Sequence, residues 1–258
     1  MSMNINVVFS PTNVDELYFS GKITVVVDVL RATTTIITAL MNGAKEIVPV
    51  SSVEFAMKAS SNMFGGQTLI CGERNAKKID GFNLGNSPLE FTNDVIGGKS
   101  LVFFTTNGTK AIVKAKYSDE VIIASFLNIS AVAKYLVELD KPFEILCAGK
   151  NNSFCLEDTV FAGKLISEIS SITQEVELSD AGLAAMAIAN KFGKNLKKMF
   201  AESEHGKFLI ESGFEEDLKY CARLNITTEI PLFLSNVVKI LNRQNNDSNK
   251  IPGLSTIS

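Results

Sequence analysis

The chain has 258 residues, 46% hydrophobic and 21% charged, with a net charge of −3. That length can bury a full core, and the slight negative charge offers nothing to nucleic acid or an anionic membrane. No apolar run reaches the ~20 residues of a membrane span, and the opening MSMNINVVFSP lacks the basic and long apolar regions of a signal peptide.

In chain order, short β-rich runs alternate with segments of helical period. Strands are predicted over 5–9, 23–27, 46–50, 68–71, 100–103, 120–124 and 143–147. Between them, 34–41, 53–63, 108–116 and 128–139 suit amphipathic helices. The strands are nearly continuous in apolar residues, as when helices cover both sheet faces. This predicts a three-layer α/β/α domain around a mainly parallel sheet. Beyond residue 153 the chain turns helix-rich (158–169, 180–191, 195–200, 205–211 and 214–222), with a late strand near 226–230. No Pro- or Gly-rich linker appears, so 1–258 reads as a single domain, or as two lobes with a soft boundary near 150. Residues 242–258 form a polar, mobile tail in which Ile251-Pro252 has the means to dock. Cys71, Cys147, Cys155 and Cys221 form no CxxC pair and read as reduced thiols of a cytoplasmic protein.

Ligands of open α/β sheets bind beyond the carboxyl ends of the strands, and polar residues gather there repeatedly. In VVVDVLRATTTII (25–37), Asp28, Arg31, Thr33 and Thr34 follow the second strand. Gly72-Glu73-Arg74 follow the fourth, Thr106-Asn107-Gly108-Thr109 the fifth, and Gly149-Lys150 the seventh. Singly, a threonine here is a helix cap and Asn-Gly a turn. Together they describe one mouth lined by carboxylates and cations. Mg²⁺ favours one or two carboxylates, waters and phosphate oxygens. Hydroxyls and helix N-termini suit a phosphoryl group, and the forks of Arg31 and Arg74 suit further anions. Asp158, in FCLEDTVFAG (154–163), opens a helix and joins Asp28 and Glu73 as a candidate metal ligand, although first-turn acids also serve the helix dipole. His205, the only histidine, is a candidate general acid or else a cap or surface residue.

Several phosphate-handling motifs are absent. GGKS (97–100) has Asn93 where a P-loop needs its first glycine, and it precedes a strand. No GxGxxG follows the first strand, no CxxxxxR or GxSxG occurs, and Leu30 stands where a haloacid-dehalogenase phosphatase carries its second aspartate.

The segments VVVDVLRATTTIITALMNGAKEIVPV, GERNAKKIDGFNLGNSPLEF, TTNGTKAI, FLNISAVA, CAGKNNSFCLEDTVFAG and HGKFLIESGFEEDLKYCA resemble the 2-phosphosulfolactate phosphatase family, in order from about residue 5 to 230. The resemblance implies a Mg²⁺-dependent phosphatase that converts (R)-2-phospho-3-sulfolactate to sulfolactate and phosphate, a step of coenzyme M biosynthesis. Departures are Asn83 for Asp, Ala76 for Gly and Lys110 for Arg. Two alternatives stay open: a phosphatase of another small 2-phosphoacid or sulfonate phosphoester, and a non-catalytic binder of an anionic metabolite. The expected partner is a small anionic phosphoester, without nucleic acid or membrane, and the apolar C-terminal half leaves room for a homodimer. The ester is attacked either by Asp28 itself or by water activated by Mg²⁺ with Asp28 as ligand or base. Missing a second acid at Leu30, the chain favours water.

Overall fold

The computed structural model describes residues 3–62 and 68–240. In β2 (Ile23–Val27) all five residues are buried, and successive side chains serve opposite faces: Val25 and Val27 enter one core, Val26 another. β8 (Phe143–Cys147) divides in the same way, Ile145 and Cys147 against Leu146. Helices α1 (Ala32–Met41) and α4 (Gly108–Lys114) cover the Val26 side, and α5 (Ile129–Leu139) and α6 (Leu156–Ile172) cover the other. The continuous apolar strands thus produce a three-layer α/β/α fold.

The other strands are β1 (Met3–Val8), β3 (Glu46–Val50), β4 (Thr68–Arg74), β5 (Lys77–Lys78), β6 (Ser100–Phe104), β7 (Glu120–Ala124), β9 (Val176–Leu178), β10 (Pro231–Leu234) and β11 (Val237–Ile240). They form one sheet in the order β5-β4-β6-β3-β11-β10-β7-β2-β8-β1-β9. The β2 neighbours run parallel, with Val25 level with both Ile122 and Ile145. Helix α2 (Val53–Asn62) packs Ala56 against Val48, Val102 and Phe104, and the single turn α3 (Asn93–Ile96) precedes β6. Beyond β9 come α7 (Asp180–Phe192), α8 (Leu196–Glu202), α9 (Glu204–Glu211) and α10 (Glu215–Cys221), the expected helix-rich part.

The late strand expected over 226–230 does not form. The backbone N–H groups of Asn225 and Thr227 donate to the carbonyls of Phe126 and Leu127, so this stretch binds a loop instead of a ladder. Pairing begins at Pro231, and the β10–β11 hairpin inserts antiparallel between β3 and β7. Its turn, Ser235-Asn236, has φ of 50° and 66°, the two left-handed residues of a tight hairpin whose twist matches its strands. Residues after 230 therefore complete the middle of the sheet. Met63, assigned to the second helix, and the 242–258 tail lie outside the described residues. No helix among the described residues is long and apolar enough to cross a membrane.

Candidate active site

A cavity of about 220 Å³ opens at the carboxyl edge of the sheet, walled by Asp28, Leu30, Arg31, Glu73, Asn75, Ala76, Asn86, Thr106, Asn107, Lys150, Asn151, His205, Phe208 and Leu209. Loops after β2, β4, β6 and β8 all reach it, so the four polar clusters converge.

Asp28 ends β2 and is clamped by its own loop. Its N–H donates to Thr33 Oγ1 (3.1 Å), whose hydroxyl donates back to the Asp28 carbonyl (2.9 Å), and Ala32 N–H donates to Oδ1 (3.3 Å). A Cβ on Gly108 would fall 2.5 Å from Asp28 Oδ2 and 2.4 Å from the Ala32 methyl, so glycine is what lets α4 approach. Glu73 is fixed as firmly: Oε1 accepts from Thr106 N–H (2.8 Å) and Oε2 from Ala76 N–H (2.9 Å).

Arg31 stands on the wall at 2% exposure. Its Nη1 pairs with Asp217 of α10 at 2.5 Å, Nη2 donates to the Ala76 carbonyl at 3.1 Å, and its plane lies 4.1 Å over Phe214. Much of its charge is therefore answered within the protein. The Lys150 ammonium is on the wall too, paired with Glu204 at 2.8 Å.

Several expected site residues do not reach the wall. Arg74 is exposed. β4 runs three residues further than predicted, so Glu73 and Arg74 lie on one strand and alternate, carboxylate inward and guanidinium outward. Thr33, Thr34 and Thr109 are buried and bonded to backbone: Thr34 to the Val29 carbonyl, and Thr109 in a reciprocal pair with Thr105. Gly149 (φ 68°) approaches the Ser153 carbonyl so closely that a Cβ would lie 2.3 Å from it. These residues shape loops and do not present groups to a ligand.

Asp158 is also behind the wall. Both carboxylate oxygens accept loop N–H groups, Oδ1 from Val29 (2.9 Å) and Oδ2 from Gly149 (3.2 Å). From the first turn of α6 it ties the β2 and β8 exits together. The three-carboxylate metal set of the sequence reading is not assembled: no group of three His, Cys, Asp or Glu side chains placed to hold a metal occurs among the described residues. Asp28 and Glu73 remain, both on the wall, and two carboxylates suffice for a cation that keeps several waters.

Burial dominates the electrostatics. Desolvation, then the charge of Asp158, pushes the Asp28 carboxyl well above its ordinary range. Desolvation raises Asp158 to about 6 against its N–H donors, and raises Glu157 beside it to about 7. So many buried acids call for a positive partner. Desolvation lowers His205 to about 4, and its Nε2–H donates to the Leu30 carbonyl at 2.8 Å. At neutral pH the ring is uncharged with its proton engaged, a poor arrangement for the general acid expected of it.

Three wall residues carry a buried polar atom without a hydrogen-bond partner among the described residues: Asn86 Oδ1, Thr106 Oγ1 and His205 Nδ1. Such atoms are rare in folded proteins, and these three belong to residues that line one cavity. Sequence reasoning missed Asn75, Asn86 and Asn151, and it missed Phe208 and Leu209 of α9. Asn75-Ala76 (φ 54° and 62°) and Asn151-Asn152 (φ 50° and 63°) are tight left-handed turns that lean on the cavity. Adjacent asparagine pairs were the available signal for the second of them. The left-handed φ of Ala76 also explains why glycine is the usual residue there.

Glu157 gives a testable consequence. It is buried, with Oε1 unpartnered, and its folded pKa of about 7 lies above its ordinary 4.5. Its stabilising contribution is full below 4.5 and is lost as pH rises through 7. Glu157→Gln is therefore expected to gain on the order of 1–3 kcal/mol over the wild type at pH 8 and little at pH 4.5. Urea titrations at the two pH values check it, and an equal change at both would contradict it.

Residues 8–236 match the family model described as 2-phosphosulpholactate phosphatase. A probable 2-phosphosulfolactate phosphatase of Symbiobacterium thermophilum is 42% identical over 222 residues, covering 86% of this chain and 95% of the relative. That of Clostridium perfringens strain 13 is 40% identical over 239 residues, 92% and 96% of the two chains. That of Thermotoga maritima is 42% identical over 213 residues, 83% and 89%. A match across nearly the whole chain, on a fold whose polar strand exits share one cavity, settles the assignment: the chain belongs to the 2-phosphosulpholactate phosphatase family.

Proposed function

We propose that the chain is a Mg²⁺-dependent phosphomonoesterase that hydrolyses 2-phosphosulfolactate to sulfolactate and phosphate in the cavity beside Asp28. The observation that carries the reading is a buried carboxylate pair, Asp28 and Glu73, facing a small cavity together with a lysine and unpartnered polar atoms. A protein that merely bound an anion would gain little from two buried acids beside it.

Asp28 and Glu73 would hold the cation. When bound, it neutralises phosphoryl charge and acidifies water. A carboxyl that burial and Asp158 disfavour as a charge is suited to gain a cation, which favours its charged form. The Thr106 hydroxyl and the Asn107 amide are placed to donate to phosphoryl oxygens, and Lys150 has protons beyond its contact with Glu204 for the departing oxygen. Leu209 and Phe208 close the cavity with apolar surface, which strengthens each of these interactions. The four cysteines are buried free thiols, in keeping with a reducing cytoplasm.

Phosphate release from (R)-2-phospho-3-sulfolactate and a panel of small phosphoesters, with Mg²⁺ and with chelator, tests the reading. The expected result is Mg²⁺-dependent release, fastest from phosphosulfolactate. Fastest release from another 2-phosphoacid would move the substrate within phosphoryl chemistry, and no release from any ester would leave a binding protein.

A further inference from the structure

Residues 28–31 leave β2 as a loop whose four carbonyls all accept hydrogen bonds. Asp28 accepts from Thr33 Oγ1 (2.9 Å), Val29 from Thr34 Oγ1 (2.9 Å) and Arg31 from Thr35 N–H (2.9 Å), all partners in α1. The Leu30 carbonyl is different. Its donor is His205 Nε2 of α9, at 2.8 Å and 175 residues further along the chain. A carbonyl only accepts, so the ring proton sits on Nε2. The other ring nitrogen, Nδ1, has no hydrogen-bond partner among the described residues. The helix that carries the ring is itself fixed. Ser203 Oγ accepts from Gly206 N–H (3.0 Å) and donates to the Phe200 carbonyl (3.0 Å), and a Cβ on Gly206 would collide with that carbonyl. The imidazole also stacks on Phe208, with centroids 6.2 Å apart and planes at 24°.

Resting on the reading above, we propose that His205 is a positioning residue, which through the Leu30 carbonyl holds the loop that presents Asp28 to the cavity. Leu30 lies two residues after Asp28, and both line the cavity. The other carboxylate, Glu73, is held by the N–H groups of Thr106 and Ala76 and owes nothing to α9. The placement of Asp28 relative to Glu73 therefore depends on how firmly its own loop is tied. Leu30 is 3% exposed, so a carbonyl deprived of the imidazole loses a partner that water does not readily replace, and the loop relaxes to find another. Arg31 keeps Asp217 and the Ala76 carbonyl whatever happens at His205. The loss should thus fall on the chemical step more than on substrate binding, because a small misplacement of reacting groups is costly to rate.

The test has two arms. His205 is the only histidine of the sequence, so selective ¹⁵N-histidine labelling of the untagged wild type reports a single ring by NMR. The expected result at neutral pH is a proton on Nε2. A ring protonated on Nδ1 alone would overturn the proposal, since the Leu30 carbonyl would then have no donor. This arm needs no variant to fold. The second arm compares His205→Leu, which removes the donor, with His205→Gln, whose amide N–H can reach the same carbonyl but takes no part in proton transfer. Expected is a fall in kcat of about 10- to 100-fold in His205→Leu with KM for phosphosulfolactate little changed, and recovery of most of that fall in His205→Gln. A folded His205→Leu with the wild-type kcat would overturn the proposal. So would a folded His205→Gln as slow as His205→Leu, which would return the ring to proton transfer. A wild type that releases no phosphate from any ester would remove the phosphatase reading and the positioning role together, with the Nε2 proton still in place to tell that failure from the others.

Discussion

Asp28→Asn is expected to lower kcat for phosphate release by about 10³-fold or more, whichever route the attack takes. The amide is nearly the same shape and its oxygen still accepts from Ala32 N–H, so the loop needs no rearrangement. What disappears is a carboxylate that burial and Asp158 disfavour as a charge. The variant should therefore melt no lower than the wild type, and the combination of lost turnover with retained stability marks a residue kept for chemistry. Steady-state phosphate release and a thermal melt check the two halves. Residual activity within tenfold would remove Asp28 from the chemistry. A rapid-quench search for hydroxylamine-sensitive phosphoprotein separates the routes, and label that depends on Asp28 would replace attack by water with attack by the carboxylate.

Asp217→Ala is expected to cost about 3–5 kcal/mol of folding stability, because it strands the buried Arg31 charge. The two side chains are 2% and 3% exposed and meet at 2.5 Å, and Asp217 also holds Ser87. The consequence is structural and functional together. Asp217 lies on α10, far along the chain, yet it orders the loop that carries Asp28 and the segment that carries Asn86. Exposed pairs such as Lys219–Glu216 give the contrast, because water and salt screen them. Urea denaturation of Asp217→Ala and of Glu216→Ala checks the difference. A loss below about 1 kcal/mol for Asp217→Ala would show that the pair is dispensable.

The layered fold was legible because its cause is local. Runs such as Ile23–Val27 are apolar throughout, and only a sheet covered on both faces buries them so. The shared cavity was legible for a similar reason, since polar residues that follow such runs must lie at one edge. Individual roles were harder. Glu73 and Arg74 could be sorted only once β4 was known to extend through them, because alternation turns a neighbour outward. Asp158 looked like a metal ligand from its acid type and its place after a strand exit, whereas its two oxygens are consumed by the N–H groups of Val29, far away in sequence, and of Gly149. The hairpin of Pro231–Leu234 and Val237–Ile240 was passed over because its turn is Ser-Asn and not the usual Asn-Gly. Asn86 lay inside a quoted motif, and nothing in the sequence says that its amide ends without a partner.

The proposed cation site, formed by Asp28 and Glu73 together, underlies every role assigned to the cavity. It is tested most directly by diffraction at the manganese edge from crystals soaked in Mn²⁺, which replaces Mg²⁺ in oxygen-ligand sites. An anomalous peak is expected within coordination distance of both carboxylates, lost in Asp28→Asn. A peak bound instead by Asp158, or one that persists unchanged in Asp28→Asn, would contradict it.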